Sequence, residues 1–339
     1  MLSDKAVGVY APEFPVYAAG RWINSAPLTM KELRGYVVVV DFWEYTCVNC
    51  IRTLPYVTEW HRRYADYGVV FVGVHTPEFS FGRDRANVAR AVEEFGIAYP
   101  VVLDNDYEIW RAYANSYWPR KYVVGRDGKI IYDHAGEGGY AETEELLQKL
   151  VREKYADAEL PPIMAPARAE DAPGAYCYPR TPELYCGYAR GRYGNVAPRS
   201  RDAAASYKDD APHAEGRLYL NGEWRLEDER LTSAGAAPAP RENYLLVPFA
   251  ANEINAVMAA PAGETVRVYI NKDGAPLAPA DASADVAFDE RGAYVDVSVG
   301  KMYVLLDAAT YGAGELSLHP AGPGVSFFAF TFGSCVANS

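Results

Sequence analysis

The chain has 339 residues, a formal net charge of −12, and hydrophobic residues at half of its positions. This length is too great for one ordinary core and predicts two domains, and the acidic balance argues against binding to nucleic acid or to an anionic membrane surface. No stretch approaches the roughly 18 consecutive apolar residues of a membrane-spanning helix. The first ten residues lack an apolar core, so we expect either a cytoplasmic protein or the mature part of a longer exported chain.

The first 155 residues alternate between strand and helix patterns. Residues 36–43 and 69–74 are nearly continuous apolar runs, typical of parallel strands buried on both faces. The predicted elements are a strand at 21–24, a helical turn at 28–33, a strand at 36–43, a helix at 48–67 capped by Gly68, a strand at 69–74, a helix at 83–95, a strand at 99–103, a helix at 107–113, a hairpin with strands at 121–124 and 129–132, and a helix at 142–151. This order predicts an α/β domain.

Two cysteines stand where the strand at 36–43 gives way to the next helix. Cys47 is expected at the helix N-terminus, where unpaired N–H groups and the helix dipole favour thiolate over thiol. Cys50 follows one helical turn later, close enough to close a disulfide with Cys47 and to resolve a mixed disulfide. The pair therefore predicts a reversible two-electron thiol switch with Cys47 as nucleophile.

The alternative interpretations of this pair are half of a zinc site or two unrelated core cysteines. A structural zinc site needs four ligands, and the sequence has no second Cys-x-x-Cys or His pair at matching spacing. The redox interpretation is favoured, with no metal and no cofactor expected.

Asp41-Phe42-Trp43, Cys47-Val48-Asn49-Cys50 and Pro55 resemble the thioredoxin superfamily. Within its TlpA-like group, the chain is similar to the soluble thioredoxin-like portion of the DipZ family. The segments that carry this narrower resemblance are 22–25, 41–56, 73–79, 104–107, 117–119 and 136–138. The resemblance implies a thioredoxin-like fold with a TlpA-type insertion between its first half and its hairpin.

The resemblance also assigns two further catalytic residues. Pro119, just before the hairpin, occupies the position of a cis-proline that faces the cysteine pair and leaves neighbouring backbone groups free for an extended partner segment. Asp41 lies at the position of a buried acid that takes the proton of Cys50. Some TlpA-like reductants carry a glutamate three residues beyond the second cysteine, whereas this chain has Thr53 there.

Five other residues are candidates for the rim of the active site. His75 and Glu78 follow the end of a predicted parallel strand, the edge at which α/β sites usually form. Trp43, Tyr45 and Trp118 would form an aromatic surround, although each could instead belong to the core.

The character of the chain changes after residue 155. We predict three parts: a redox domain at 1–155, a Pro/Ala-rich linker at 156–180 and an all-β sandwich at 181–339, with a jelly-roll-like arrangement. The sandwich is predicted from short strand-like runs at 217–220, 244–250, 265–270, 293–299, 302–306, 315–319 and 325–332. Residues 181–185 and 328–333 resemble the second domain of the DipZ family, which is similar to carbohydrate-binding modules.

The remaining cysteines fall in the second half. Cys177 and Cys186 are nine residues apart and could close a small disulfide in an oxidising compartment, which would leave Cys335 unpaired.

The favoured function is a thiol–disulfide oxidoreductase that reduces disulfide-bearing client proteins. The resemblance implies a membrane electron donor of the CcdA/DsbD type and an extracytoplasmic location. The alternatives are a thiol oxidant or peroxidase at the same cysteines, a binding module whose sandwich recognises glycan or a protein, and copper handling by Cys47, Cys50 and a histidine.

Overall fold

The computed structural model describes residues 7–15, 19–196, 201–235 and 243–336. Contacts divide the chain into two compact units, Met1–Ala167 and Arg168–Ser339. The boundary falls inside the predicted linker: Ala167 N–H still donates to Tyr56 Oη at 2.7 Å in the first unit. Of the first ten residues, which lack an apolar core, 1–6 lie outside the described residues. Within the described part, no helix combines the length and apolar character needed to cross a membrane.

Among the described residues, the first unit consists of a six-stranded sheet and four α-helices. Its strands are β1 (Trp22–Ile23), β2 (Val37–Trp43), β3 (Val69–His75), β4 (Val101–Leu103), β5 (Arg120–Val124) and β6 (Ile130–Ala135). Its helices are α1 (Val48–Tyr64), α2 (Arg85–Glu94), α3 (Glu108–Ala112) and α4 (Tyr140–Lys154), with 3₁₀ turns at Ala19–Arg21, Ala65–Tyr67 and Ser80–Arg83. The strand order is β1-β4-β3-β2-β5-β6; β2, β3 and β4 run parallel, and the other pairings are antiparallel. The predicted thioredoxin-like fold is confirmed.

The central strand β2 is buried on both faces, as its run of valines predicts. Val37, Val39 and Trp43 pack into one core with α1, α2 and α4. The intervening residues, such as Val38, pack into a second core with α3 and the N-terminal segment. Because side chains alternate along a strand, Asp41 points to the same face as Val39, the face that α1 covers.

The second unit is rich in strands, as predicted. They are β7 (Tyr176–Cys177), β8 (Leu184–Tyr185), β9 (Ala204–Tyr207), β10 (Tyr219–Leu226), β11 (Leu231–Ser233), β12 (Tyr244–Ala259), β13 (Val266–Lys272), β14 (Ala275–Pro276), β15 (Ala287–Asp289), β16 (Gly292–Val297), β17 (Lys301–Pro320), β18 (Ser326–Gly333) and β19 (Cys335–Val336), with 3₁₀ turns at Ala169–Asp171 and Pro279–Asp281. Eleven of them hydrogen-bond into one continuous sheet around a single core, and β7 pairs with β19.

The long strands β12 and β17 explain why the sheet of the second unit is continuous. The first part of β12 lies between β10 and β17, whereas its second part lies between β18 and β17. The pairing register shifts between Ala251 and Glu253, in the middle of β12. The runs at 302–306 and 315–319, predicted as separate strands, are parts of β17, because its glycine-containing middle stays paired with β12.

The predicted pairing of Cys177 with Cys186 is wrong. Cys177 forms a disulfide with Cys335, because β7 and β19 place these two residues directly opposite each other. Cys186 is a free thiol that lies fully buried in the core of the second unit. The bonded cysteines are 158 residues apart, so the sequence alone gave no indication that they are close in the fold.

Candidate active site

The two cysteines of the first unit occupy different environments. Cys47 is the N-cap residue of α1 and is half-buried, whereas Cys50 lies in the first turn with 1% of its surface exposed. Cys50 N–H donates to Cys47 Sγ at 3.3 Å, and both cysteines are free thiols. The outer sulfur can therefore meet a partner, while the inner sulfur is covered and lies on the same helical turn.

The environment of Cys50 opposes ionisation of its thiol. Burial raises its pKa, and the hydrogen bond and the charge of Cys47 raise it further, with a smaller contribution from Asp41. Cys50 therefore needs a nearby group that accepts its proton before it can act as a nucleophile.

Asp41 is buried beneath this pair and faces a cation. Burial raises the pKa of its carboxyl group, and the charge of Lys121 opposes that rise. Lys121 stands opposite Asp41 in the pairing of β2 with β5; burial lowers the pKa of its ammonium group, and Asp41 opposes that change. Lys121 Nζ donates to the carbonyl of Gly138 at 3.0 Å. Asp41 is thus buried, as predicted. Its neighbour Lys121 is also buried, and the sequence analysis did not identify that lysine.

The peptide bond between Trp118 and Pro119 is cis, as predicted for a thioredoxin-like protein. Pro119 is buried and its carbonyl accepts from Gly136 N–H at 2.8 Å. Trp118 is half-buried on the same core cluster as Cys47, and its indole N–H donates to the carbonyl of Thr76 at 3.1 Å. The segment that precedes β5 is therefore tied to the loop that follows β3.

The remaining rim candidates differ in their exposure. Trp43, Tyr45 and His75 are buried; the His75 ring stacks on Tyr45 at 5.6 Å and meets Trp43 edge-on at 5.1 Å. These three side chains pack in the interior beneath the cysteines, so they do not form the exposed rim that was predicted. Glu78 is half-buried, and its charge raises the pKa of Glu44, a buried acid that sequence reasoning passed over.

Two sequence signals could have indicated the missed residues. Lys121 is a lysine inside a strand whose following residues are Tyr, Val and Val, which is unusual for an element buried at every position. Glu44 lies three residues before Cys47 and two before Thr46, a spacing that allows a carboxylate to bind the turn. In the described part of the chain, no group of three or more His, Cys, Asp or Glu side chains is arranged to hold a metal ion.

Two family models match the chain, one on each side of the boundary between its two units. Residues 7–149 match the Redoxin family model, and residues 181–333 match the family model described as "Thioredoxin like C-terminal domain". The chain belongs to the thioredoxin superfamily.

One relative is DipZ of Mycobacterium tuberculosis, which is 36% identical to this chain over 228 residues. The aligned region covers 66% of this chain and 32% of DipZ. The chain thus spans about a third of that relative. The thiol–disulfide oxidoreductase ResA of Bacillus cereus is 26% identical over 42% of this chain and 78% of ResA. A thiol–disulfide isomerase structure from Corynebacterium glutamicum has 26% identity and a TM-score of 0.38, covering 42% of this chain and 96% of that one. The Redoxin match and the relatives DipZ and ResA support the predicted class, an oxidoreductase.

Proposed function

We propose that this thioredoxin-superfamily chain is a thiol–disulfide oxidoreductase that works as a disulfide reductant. The observation that carries the proposal is the pairing of a half-buried Cys47 at the N-cap of α1 with a covered Cys50 in the first turn. This arrangement separates the thiol that meets a client from the thiol that completes the exchange.

The reaction has two exchange steps. The thiolate of Cys47 attacks one sulfur of a client disulfide, forms a mixed disulfide and releases the other client sulfur as a thiolate. Cys50 then loses its proton, and its thiolate attacks Cys47 Sγ, which releases the second client thiolate and leaves a Cys47–Cys50 disulfide. The client gains two electrons and the protein loses two, so an external thiol or electron donor must reduce the pair again.

Asp41 is the proton acceptor for the second step. It lies on the face of β2 that α1 covers, and its charge influences the thiol of Cys50. Because burial raises the pKa of this carboxyl group, its ionised form accepts a proton more readily than an exposed aspartate does.

The client proteins, the donor and the location rest on the DipZ and ResA likeness. Oxidoreductases of this kind act on disulfide-bearing proteins, and we propose such clients here. A membrane donor of the CcdA/DsbD type and an extracytoplasmic location are consistent with that likeness. The disulfide between Cys177 and Cys335 also suits an oxidising compartment.

The direction of electron flow is tested by the reduction potential of the Cys47–Cys50 pair. We expect equilibration with a dithiothreitol couple to give a value near the roughly −270 mV of thioredoxin, or lower. The double variant Cys47→Ser/Cys50→Ser is the reference, because it retains the Cys177–Cys335 disulfide and reveals any transition of that bond. A value near the roughly −120 mV of a strong oxidant would reverse the proposed direction.

The order of the two cysteines is tested by trapping. Cys50→Ser should accumulate a mixed disulfide with an oxidised model client, since nothing resolves it, and Cys47→Ser should form none. Mass spectrometry under non-reducing conditions detects the adduct and locates it. Steady turnover of peroxide by Cys50→Ser without an adduct would instead indicate a peroxidase.

A further inference from the structure

Glu44 is a buried acid on the turn that joins β2 to α1. Its side chain is 0% exposed. One carboxyl oxygen, Oε2, accepts from Thr46 N–H at 2.7 Å and from the Thr46 hydroxyl. The Glu44 carbonyl accepts from Cys47 N–H at 3.2 Å. Both the backbone and the side chain of Glu44 therefore fix the turn that ends at the nucleophile.

The other carboxyl oxygen faces a histidine. Glu44 Oε1 lies 3.8 Å from His75 Nε2, and both side chains are completely buried. Among the described residues, neither this oxygen nor either ring nitrogen of His75 has a hydrogen-bond partner. A protonated carboxyl group at Oε1 could donate to a neutral imidazole after a small movement, which would satisfy both groups at once.

One nearby charge, that of Glu78, opposes the ionisation of Glu44. Glu78 follows β3 and repels a carboxylate at Glu44. Asp84 and Arg90, at the N-cap of α2 and within it, have opposite effects on the pKa of the neighbouring Tyr45: Asp84 raises it and Arg90 lowers it. The 3₁₀ turn at Ser80–Arg83 packs closely, since a Cβ added at Gly82 would lie 3.3 Å from Glu44 Oε1.

We propose that Glu44 is a positioning residue for Cys47, which holds the turn through Thr46 and shares one proton with His75, so that Cys47 works beside an uncharged carboxyl group. The inference rests on the proposed role of Cys47 as nucleophile. It adds a second buried acid, distinct from Asp41, with a different task.

The charge of Glu44 matters because of where its carboxyl group lies. It accepts from Thr46 N–H in the turn that leads into α1, and a negative charge there would disfavour the thiolate of Cys47. The hydrogen bonds from Thr46 favour the carboxylate, but burial outweighs them and raises the pKa of Glu44 to about 8. Burial also keeps His75 neutral, with a pKa lowered to about 3. Near neutral pH the pair therefore holds one proton, on the carboxyl group.

The test is the pH profile of Cys47 alkylation by iodoacetamide in the full chain, with the Cys47 peptide quantified by mass spectrometry. Glu44→Gln keeps an acceptor for Thr46 but cannot ionise. Wild type and variant should coincide below about pH 6, and the variant should react at least about twofold faster near pH 8.5, where the wild-type carboxylate opposes the thiolate. Glu94→Gln, the same change at an exposed site of α2, should follow wild type throughout.

Superimposable profiles of wild type and Glu44→Gln would overturn the proposal while leaving Cys47 as the nucleophile. If Cys47 reacts no faster than buried Cys186 in any form, the proposed function itself fails, and this inference with it. A measurement on the native carboxyl group keeps the proposal testable if Glu44→Gln does not fold. In an Asp41→Asn background, infrared spectra should show a protonated carboxylic acid at pH 7 that disappears above about pH 8. Absence of that band at pH 7 would also overturn it.

Discussion

At the scale of single residues, the site places two buried acids near two thiols, and each acid has its own neighbour. Asp41 faces Lys121 across the β2–β5 pairing, and Glu44 faces His75. The sequence predicted Cys47 and Cys50, because two cysteines at this spacing where a strand gives way to a helix are themselves the signal, and the resemblance to thioredoxins supplied Asp41. It did not predict Lys121 or the role of Glu44, because both depend on contacts that only strand register and turn geometry create.

Asp41→Asn should slow the second exchange step. The amide cannot accept the proton of Cys50, so at pH 7 we expect a preformed mixed disulfide of Cys47 with glutathione to resolve about 10- to 100-fold more slowly. Stopped-flow measurement of glutathione release gives this rate. The rate at which Cys47 attacks oxidised glutathione, measured separately in wild type and variant, is the control, because that step does not use Asp41. An unchanged release rate would remove Asp41 from the mechanism.

Glu44 should also leave a signature in stability. Its pKa is about 8 when folded and near 4.5 when unfolded, so the folded state binds more protons between these values. The contribution of Glu44 to the free energy of unfolding therefore falls as pH rises from about 4.5 to 8, and any stability lost over this range should be smaller in Glu44→Gln than in wild type. Urea unfolding monitored by fluorescence at several pH values measures the slope of stability against pH. Equal slopes in wild type and variant would show that the folded protein does not hold this proton.

At the scale of elements, the helix and strand patterns predicted the first unit well. The helix predicted to end at Gly68 is α1 followed by a 3₁₀ turn, and Gly68 caps that turn in the left-handed region at φ 74°. The second unit was harder, because strands such as β9 have no distinctive pattern and β17 continues through glycines that resemble a turn. What keeps β17 extended is its pairing with β12, which a sequence pattern does not reveal.

Strand β3 should tolerate little added volume beneath the active site. A Cβ at Gly73 would lie 2.9 Å from Trp43 Nε1 and 3.1 Å from a ring carbon of Tyr99. Gly73→Ala should therefore destabilise the first unit by about 1–3 kcal/mol through overpacking. Gly20→Ala is the matched control, since no atom lies within 4 Å of its added Cβ. Thermal unfolding compares the two, and equal midpoints would contradict the packing argument.

At the scale of the whole molecule, the first unit has a hydrophobic core on each face of its sheet, and the second unit has one core and a disulfide bond. Removing the Cys177–Cys335 disulfide with paired serines should destabilise that unit by about 3–5 kcal/mol, because the bond closes a long loop. Calorimetry should show the transition of the first unit unchanged. Cys186→Ala, which removes a thiol but no cross-link, is the control. Recognition of glycan or protein by this unit stays a prediction, which glycan-array binding by the full chain would test.

The Cys177–Cys335 bond also changes how the second unit responds to cutting and pulling. A protease that cuts once between these cysteines leaves both fragments joined, so the nick is visible only after reduction. Tension applied between the start of the unit and its last strand passes through the two sulfur atoms and does not reach the intervening sheet. The chain between Cys177 and Cys335 therefore cannot be drawn out by such a force until a reductant opens that bond.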